Sequence, residues 1–259
     1  KKSGRKTRTE CYGEGLSDRM VRMCHATCRS ALQRAVQDGL IRTNPAEGCK
    51  LPPKKAREMQ VLARDELQRF LIQAQAEGYY ELFLLDLATG LRRGELLALR
   101  WEDLDVQNRT LSINKSVARQ DGKLVISTPK TPNSIRTVLL PEDTVKLLVE
   151  EHERHPANPY LFPSPRTGET WDPDGFRRLH DRIIKEIGAE HVRFHDMRHT
   201  FATLFLKSGV DVKTLSAMLG HVSAVTTLDI YTHITGDMQR AAAASIDRSI
   251  GKAEPREET

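Results

Sequence analysis

The stretch TGLRRGE places Arg92 just after a glycine that ends one helix, at the start of the next. A helix N-terminus and a guanidinium fork both favour a phosphate, so this is a candidate anion site. Glu95, one turn on, can pair with Arg92 or Arg93 and fix its direction. The plainer alternative is an ordinary exposed ion pair. A second group stands in RFHDMRHTFATLF, residues 193–205, where His195, Arg198 and His199 occupy i, i+3 and i+4. They lie near the edge of an apolar stripe of Phe194, Met197, Phe201, Leu204 and Phe205. A helix built only for burial would carry Leu or Ala there; a satisfied core histidine beside surface arginines is the alternative. Lys130 in STPKTPNS, taken by itself, reads as a solubilising turn lysine. His221 follows the helix-ending Gly220, and Tyr231, between Ile230 and Thr232, could be a buried tyrosine with a satisfied hydroxyl.

The elements that must hold these residues follow from pattern and punctuation. LSDRMVRMCHATCRSALQRAVQDGLI reads as one helix capped by Ser17 or Asp18 and ending near Gly39. Cys24 and Cys28 fall on its stripe of Met20, Ala31, Leu32 and Ala35, and are expected as core thiols, with zinc ligation the alternative. RTNPAEGCKLPPKKAREM, with three prolines and a basic run, reads as a linker. Helices are expected near 65–76, 79–89 and 93–99. Three strands follow, TLSINKSV, KLVIST and IRTVLLP, joined by Asp121-Gly122 and PKTPNS. Further helices are expected near 142–154, 174–187, 196–208, 211–219, 224–231 and 237–249. The fold class is α+β, mostly helical, with a small three-stranded antiparallel sheet.

Composition narrows the partners. Residues 1–57 carry fourteen Lys and Arg against five Asp and Glu, although the whole chain of 259 residues is only +5. Such concentrated basicity is the footprint of a polyanion binder, a solvated basic surface being the alternative. No apolar run is long enough to span a bilayer, so no membrane partner is expected and the chain reads as soluble. All four cysteines lie in the first fifth of the chain, and a reducing, intracellular setting is expected.

Taken in chain order, TGLR…E, a hairpin lysine, H-x-x-R-H-T, LGH and Y-T-H resemble the tyrosine recombinase (phage integrase) family over about residues 60–235. The wording of ALRWEDLD and HVSAVTTLDIYTHI is most similar to integrases of conjugative transposons and temperate phages of Gram-positive bacteria. The resemblance implies a catalytic domain over 61–235, preceded by part of a helical core-binding domain (1–50) and a linker (51–60). A C-terminal helix (236–250) exchanged between protomers and a flexible tail (251–259) would follow. It implies roles as well. Tyr231 is the nucleophile joined to a 3′ phosphate; Arg92 and Arg198 clamp the non-bridging oxygens, and His221 is a third phosphate ligand. His195 is the candidate base, Lys130 the general acid, Glu95 orients the arginine and His199 buttresses the group.

Physical chemistry agrees with those roles. Equatorial oxygens gain negative charge during phosphoryl transfer, and guanidinium forks stabilise it directly. A tyrosine with a pKa of about 10 needs a base or nearby cations at neutral pH, and an alkoxide leaving group needs a proton. No metal or other cofactor is implied. The implied partners are double-stranded DNA, further copies of the chain (dimer to tetramer) on that DNA and an accessory directionality factor; the implied location is the bacterial cytoplasm, on DNA. Rival readings are a type IB-like topoisomerase, a non-catalytic DNA-binding regulator on the same fold, and a metal nuclease using Glu102, Asp103 and Asp105.

Overall fold

A computed structural model describes residues 16–53, 60–129, 134–190 and 192–220. Lys130, His221, Tyr231 and the helices expected at 224–231 and 237–249 lie outside the described residues. The chain divides after Glu58 into two compact units.

The first unit is built on helix α1 (Asp18–Gln37). Ser17 caps it, its hydroxyl accepting from the Met20 amide, and the chain leaves through Gly39 at a φ of 71°. The segment after it, expected as a linker, instead folds back on the helix. Asn44, buried, donates to the carbonyl of Arg29 and to Gln33, while Arg22 donates to the Pro52 carbonyl and His25 bonds the Ala46 carbonyl. The expected core position of Cys24 and Cys28 is corrected: both are exposed, as is Cys49, and no residue of α1 is buried. The half-buried face carries Val21, His25, Leu32, Ala35 and Val36 instead, while Met20, Cys24, Cys28 and Ala31 of the expected stripe are exposed.

The second unit packs helices around α3 (Tyr80–Thr89), whose sequence YELFLLDLAT is apolar on nearly every side. It contacts α2 (Arg64–Ala76), α5 (Glu142–Arg154) and α7 (Phe194–Lys207), while α6 (Pro173–Glu186) lies against α2 and α7. Phe70, Phe83, Phe176 and Phe194 fill the space between them, with edge-on or stacked ring pairs 4.9 to 5.7 Å apart. Each such ring stabilises the fold by about 1.5–3 kcal/mol relative to leaving it exposed.

Helix α4 is one turn, Arg93–Leu96, rather than the seven residues expected. The chain then leaves helical geometry to pair Arg100 with Tyr160 as an isolated bridge and to form a 3₁₀ turn at Trp101–Asp103. The expected single strand TLSINKSV is two strands in two sheets. Strands β1 (Leu104–Asp105), β2 (Thr110–Ile113) and β5 (Arg136–Leu139) form an antiparallel sheet in the order β1-β2-β5, with Leu111 opposite Val138. Strands β3 (Ser116–Gln120) and β4 (Lys123–Ser127) form a separate hairpin. Asp121 and Gly122, both at positive φ (48° and 79°), make its turn, as the Asp-Gly pair requires. The break falls at Asn114–Lys115, where Lys115 turns back to bond Glu102 and Asp103, each at 2.8 Å. With Asp105 engaged by Asn108, the three carboxylates weighed as a metal cluster hold a lysine and a turn instead. No described helix is long and apolar enough to cross a membrane.

His180 on α6 is fully buried among Phe70, Phe83 and Phe194, and its Nε2 has no partner among the described residues. Burial depresses its pKa, against the pull of Asp181, and His199 is depressed to about 4. The unfolded chain therefore takes up protons first. Stability is full above about pH 6.5 and falls as the pH drops toward 4. Thermal melts from pH 8 to 4.5 should show this decline, and His180→Leu should flatten part of it. An unchanged pH profile in that variant would count against the assignment.

Candidate active site

The site forms where three chain segments end. Helix α3 stops at Gly90, whose φ of 60° lets the chain reverse. A Cβ there would meet the Phe201 ring at 2.4 Å and Leu219 at 2.8 Å, so only glycine lets α3, α7 and α8 (Val212–Leu219) come this close. The chain re-enters α4 at once with Arg92 as N-cap. Glu95 accepts from the Arg92 amide at 2.9 Å and from its guanidinium at 2.7 Å. Of the two pairings open to Glu95 in the sequence, the Arg92 pairing forms.

Helix α7 begins with a carboxylate cap. Asp196 accepts from the Arg193 amide at 3.0 Å and from its guanidinium at 2.7 and 2.8 Å. Thr200 accepts from the Leu62 amide and donates to the Asp196 carbonyl, tying the start of the second unit to this helix. The apolar stripe runs through Phe194, Met197, Phe201, Ala202 and Leu206; Leu204, expected on it, is exposed. Arg198, expected near its edge, is only 5% exposed. Its guanidinium donates to the Gly90 carbonyl at 2.7 Å and to the Leu219 carbonyl. Burial, and next the charge of Arg92, pull its pKa down to about 9, still far enough above neutrality to keep it charged.

The last turn of α8 gathers the cations. Met218, Leu219 and Gly220 offer carbonyls that accept from Arg136 (2.6 Å), Arg198 and Arg92 (3.1 Å) respectively. A helix C-terminus carries partial negative charge, so three guanidinium groups there are favourably placed. Glu95, 3% exposed, also takes two bonds from Arg136, at 3.0 and 3.3 Å. Burial raises its pKa, but the bonds and charge of Arg136 and Arg92 outweigh that, and it is held below the usual range. Three arginines therefore face one carboxylate, leaving a positive surplus. Asp86 is buried, with one carboxyl oxygen unpartnered among the described residues, and burial drives its pKa up against the pull of Arg198.

His195 is exposed beside this cluster, its ring edge-on to His199 at 5.4 Å. Partial burial and then the charge of Arg198 lower its pKa, so at neutral pH it is an uncharged imidazole able to take a proton. The structure thus brings together Arg92, Glu95, His195, Arg198 and His199. It adds two residues the sequence reading missed. Asp86 had a visible signal, a carboxyl set within the apolar run FLLDLA. Arg136 had none, because its partners lie 41 and 82 positions away.

A profile of the phage integrase family matches residues 60–237. The ICEBs1 integrase of Bacillus subtilis is 30% identical over 90% of this chain and 66% of its own length. A XerC-like tyrosine recombinase of Caldanaerobacter subterraneus subsp. tengcongensis is 28% identical over 91% of this chain and 68% of its own. The Tn1549 transposon integrase, solved in complex with transposon right end DNA, superposes with a TM-score of 0.77 at 25% identity, covering 90% of this chain and 80% of that one. The chain belongs to the phage integrase family. It spans about two thirds of the length of these curated relatives.

Proposed function

We propose that the chain is a site-specific DNA recombinase that cuts and rejoins double-stranded DNA through Tyr231. The observation that carries this reading is the arginine cluster on the last turn of α8, immediately before His221 in the chain. In the proposed reaction the Tyr231 oxygen attacks phosphorus and passes its proton to His195. The bond from phosphorus to the 5′ oxygen breaks, and Lys130 supplies that oxygen with a proton. Arg92, 39% exposed, offers its fork to the phosphate, while Arg198 stabilises the equatorial oxygens from its buried position with the N–H groups its two carbonyl bonds leave over. His221 is the third phosphate ligand, Glu95 orients Arg92, and His199 supports His195. The covalent 3′-phosphotyrosine keeps the energy of the cut bond, so a 5′ hydroxyl can reverse the step without ATP.

The basic segment 1–50 would lie on DNA as part of a core-binding domain, followed by a linker at 51–60 and the catalytic domain at 61–235. The segment 236–250 would dock on a neighbouring copy in a dimer to tetramer on DNA, an accessory protein would set direction, and the setting would be the bacterial cytoplasm.

Tyr231→Phe should still shift a DNA site, because the arginine clamp remains, but should yield no SDS-resistant adduct on a nicked suicide substrate. An adduct captured by that variant would mean another residue is the nucleophile.

A further inference from the structure

We infer that Arg136 is a positioning residue of the cleavage reaction, holding the orienting carboxylate and the end of α8 in one geometry. This rests on the functional reading above. Arg136 stands on the first residue of β5, and its side chain is 7% exposed. Its fork gives both terminal nitrogens to Glu95, one of which also reaches the Ser134 carbonyl, while its Nε donates to the Met218 carbonyl. One planar group thus joins α4, the start of β5 and α8.

The consequence runs through two partners. Glu95 accepts from Arg92 and Arg136 together, so the carboxylate that aims Arg92 is itself aimed by Arg136. Met218 lies two residues before Gly220, whose carbonyl receives Arg92, and three before His221. The Arg136 bond to Met218 therefore holds the helix end from which the proposed third phosphate ligand departs. A lysine has one nitrogen and cannot supply the planar fork that reaches carboxylate and carbonyl at once. Arg136 is deeply covered, and each of its three nitrogens is bonded to a protein acceptor, so it acts through Arg92 and α8 rather than on the phosphate.

The test is single-turnover capture of a suicide DNA substrate by the full chain at saturating protein, with DNA affinity and melting temperature measured in parallel. In Arg136→Lys, capture at saturation should slow about 30- to 300-fold, somewhat less than the roughly 10²–10³-fold of removing a transition-state donor outright, because Arg92 stays but loses its aim, while the dissociation constant for duplex DNA moves less than about threefold, since the phosphate contacts are intact. Capture within threefold of the parent, with only the melting temperature lowered, would make Arg136 a stabilising bridge and overturn the inference.

Should Arg136→Lys fail to fold, the paired variant Glu95→Gln/Arg136→Met removes both buried charges together and avoids leaving one unpaired. Its capture should then be at least about tenfold slower than that of Glu95→Gln alone, because the α8 carbonyl has also lost a donor. Equal rates in those two variants would overturn the inference. A parent chain that captures no DNA would overturn the functional reading, and this inference with it; parent capture with undiminished variants overturns the inference alone.

Discussion

Arg198→Ala should lose strand cleavage by about 10³-fold or more, and the loss should persist on DNA whose 5′ bridging oxygen is replaced by sulfur. Lys130→Ala should be slowed about 10²–10⁴-fold on ordinary DNA yet recover on the sulfur substrate. The contrast follows from where charge develops. A thiol with a pKa of about 8.5 leaves as thiolate without a proton, so it bypasses a general acid. It does nothing for the equatorial oxygens that Arg198 is placed to stabilise. Because Arg198 also satisfies the Gly90 and Leu219 carbonyls, Arg198→Lys serves as the folded companion variant and should behave like Arg198→Ala on both substrates. If Lys130→Ala remained equally slow on the two substrates, Lys130 would be a binding residue and His195 the first candidate for the acid.

Gly90→Ala should destabilise the fold by roughly 2–5 kcal/mol, combining the cost of a left-handed non-glycine residue with overpacking. The added methyl would overlap Phe201 and Leu219, and relief of that overlap must move α7 or α8 away from α3. Gly78→Ala is the matched control. Its φ is +78°, but nothing lies within 4 Å of the position a Cβ would take, so only the conformational cost of about 1–2 kcal/mol applies. Melting temperatures of the two variants decide the matter: equal decreases would show that the close approach at Gly90 is unimportant. Because the Gly90 carbonyl receives Arg198, the same substitution should also depress DNA capture in the fraction that stays folded.

What the sequence made legible was local. The Asp121-Gly122 turn, the Ser17 cap and the span of α5 rest on residues within a few positions of one another, where spacing carries the signal. Arg92 and Glu95 were readable for the same reason, being one turn apart. Arg136 was not, since an arginine in an alternating strand looks like any solvent-facing residue until its distant partners are known. The depth of Arg198 was hidden likewise: helical periodicity put it at an edge, and only carbonyls from α3 and α8 make its burial tolerable. Cys24 and Cys28 show the converse error. An apolar stripe suggests a core, but it shows only that a face is apolar and says nothing of what covers it.

The three arginine bonds on the last turn of α8 span 128, 82 and 21 positions of the chain. No contiguous peptide of modest length contains all the participants. The charged centre is therefore a property of the finished tertiary structure, and a copy in which residues 92–220 are not folded together lacks it. For a protein proposed to break DNA strands, the ability to cut is thereby tied to completed folding.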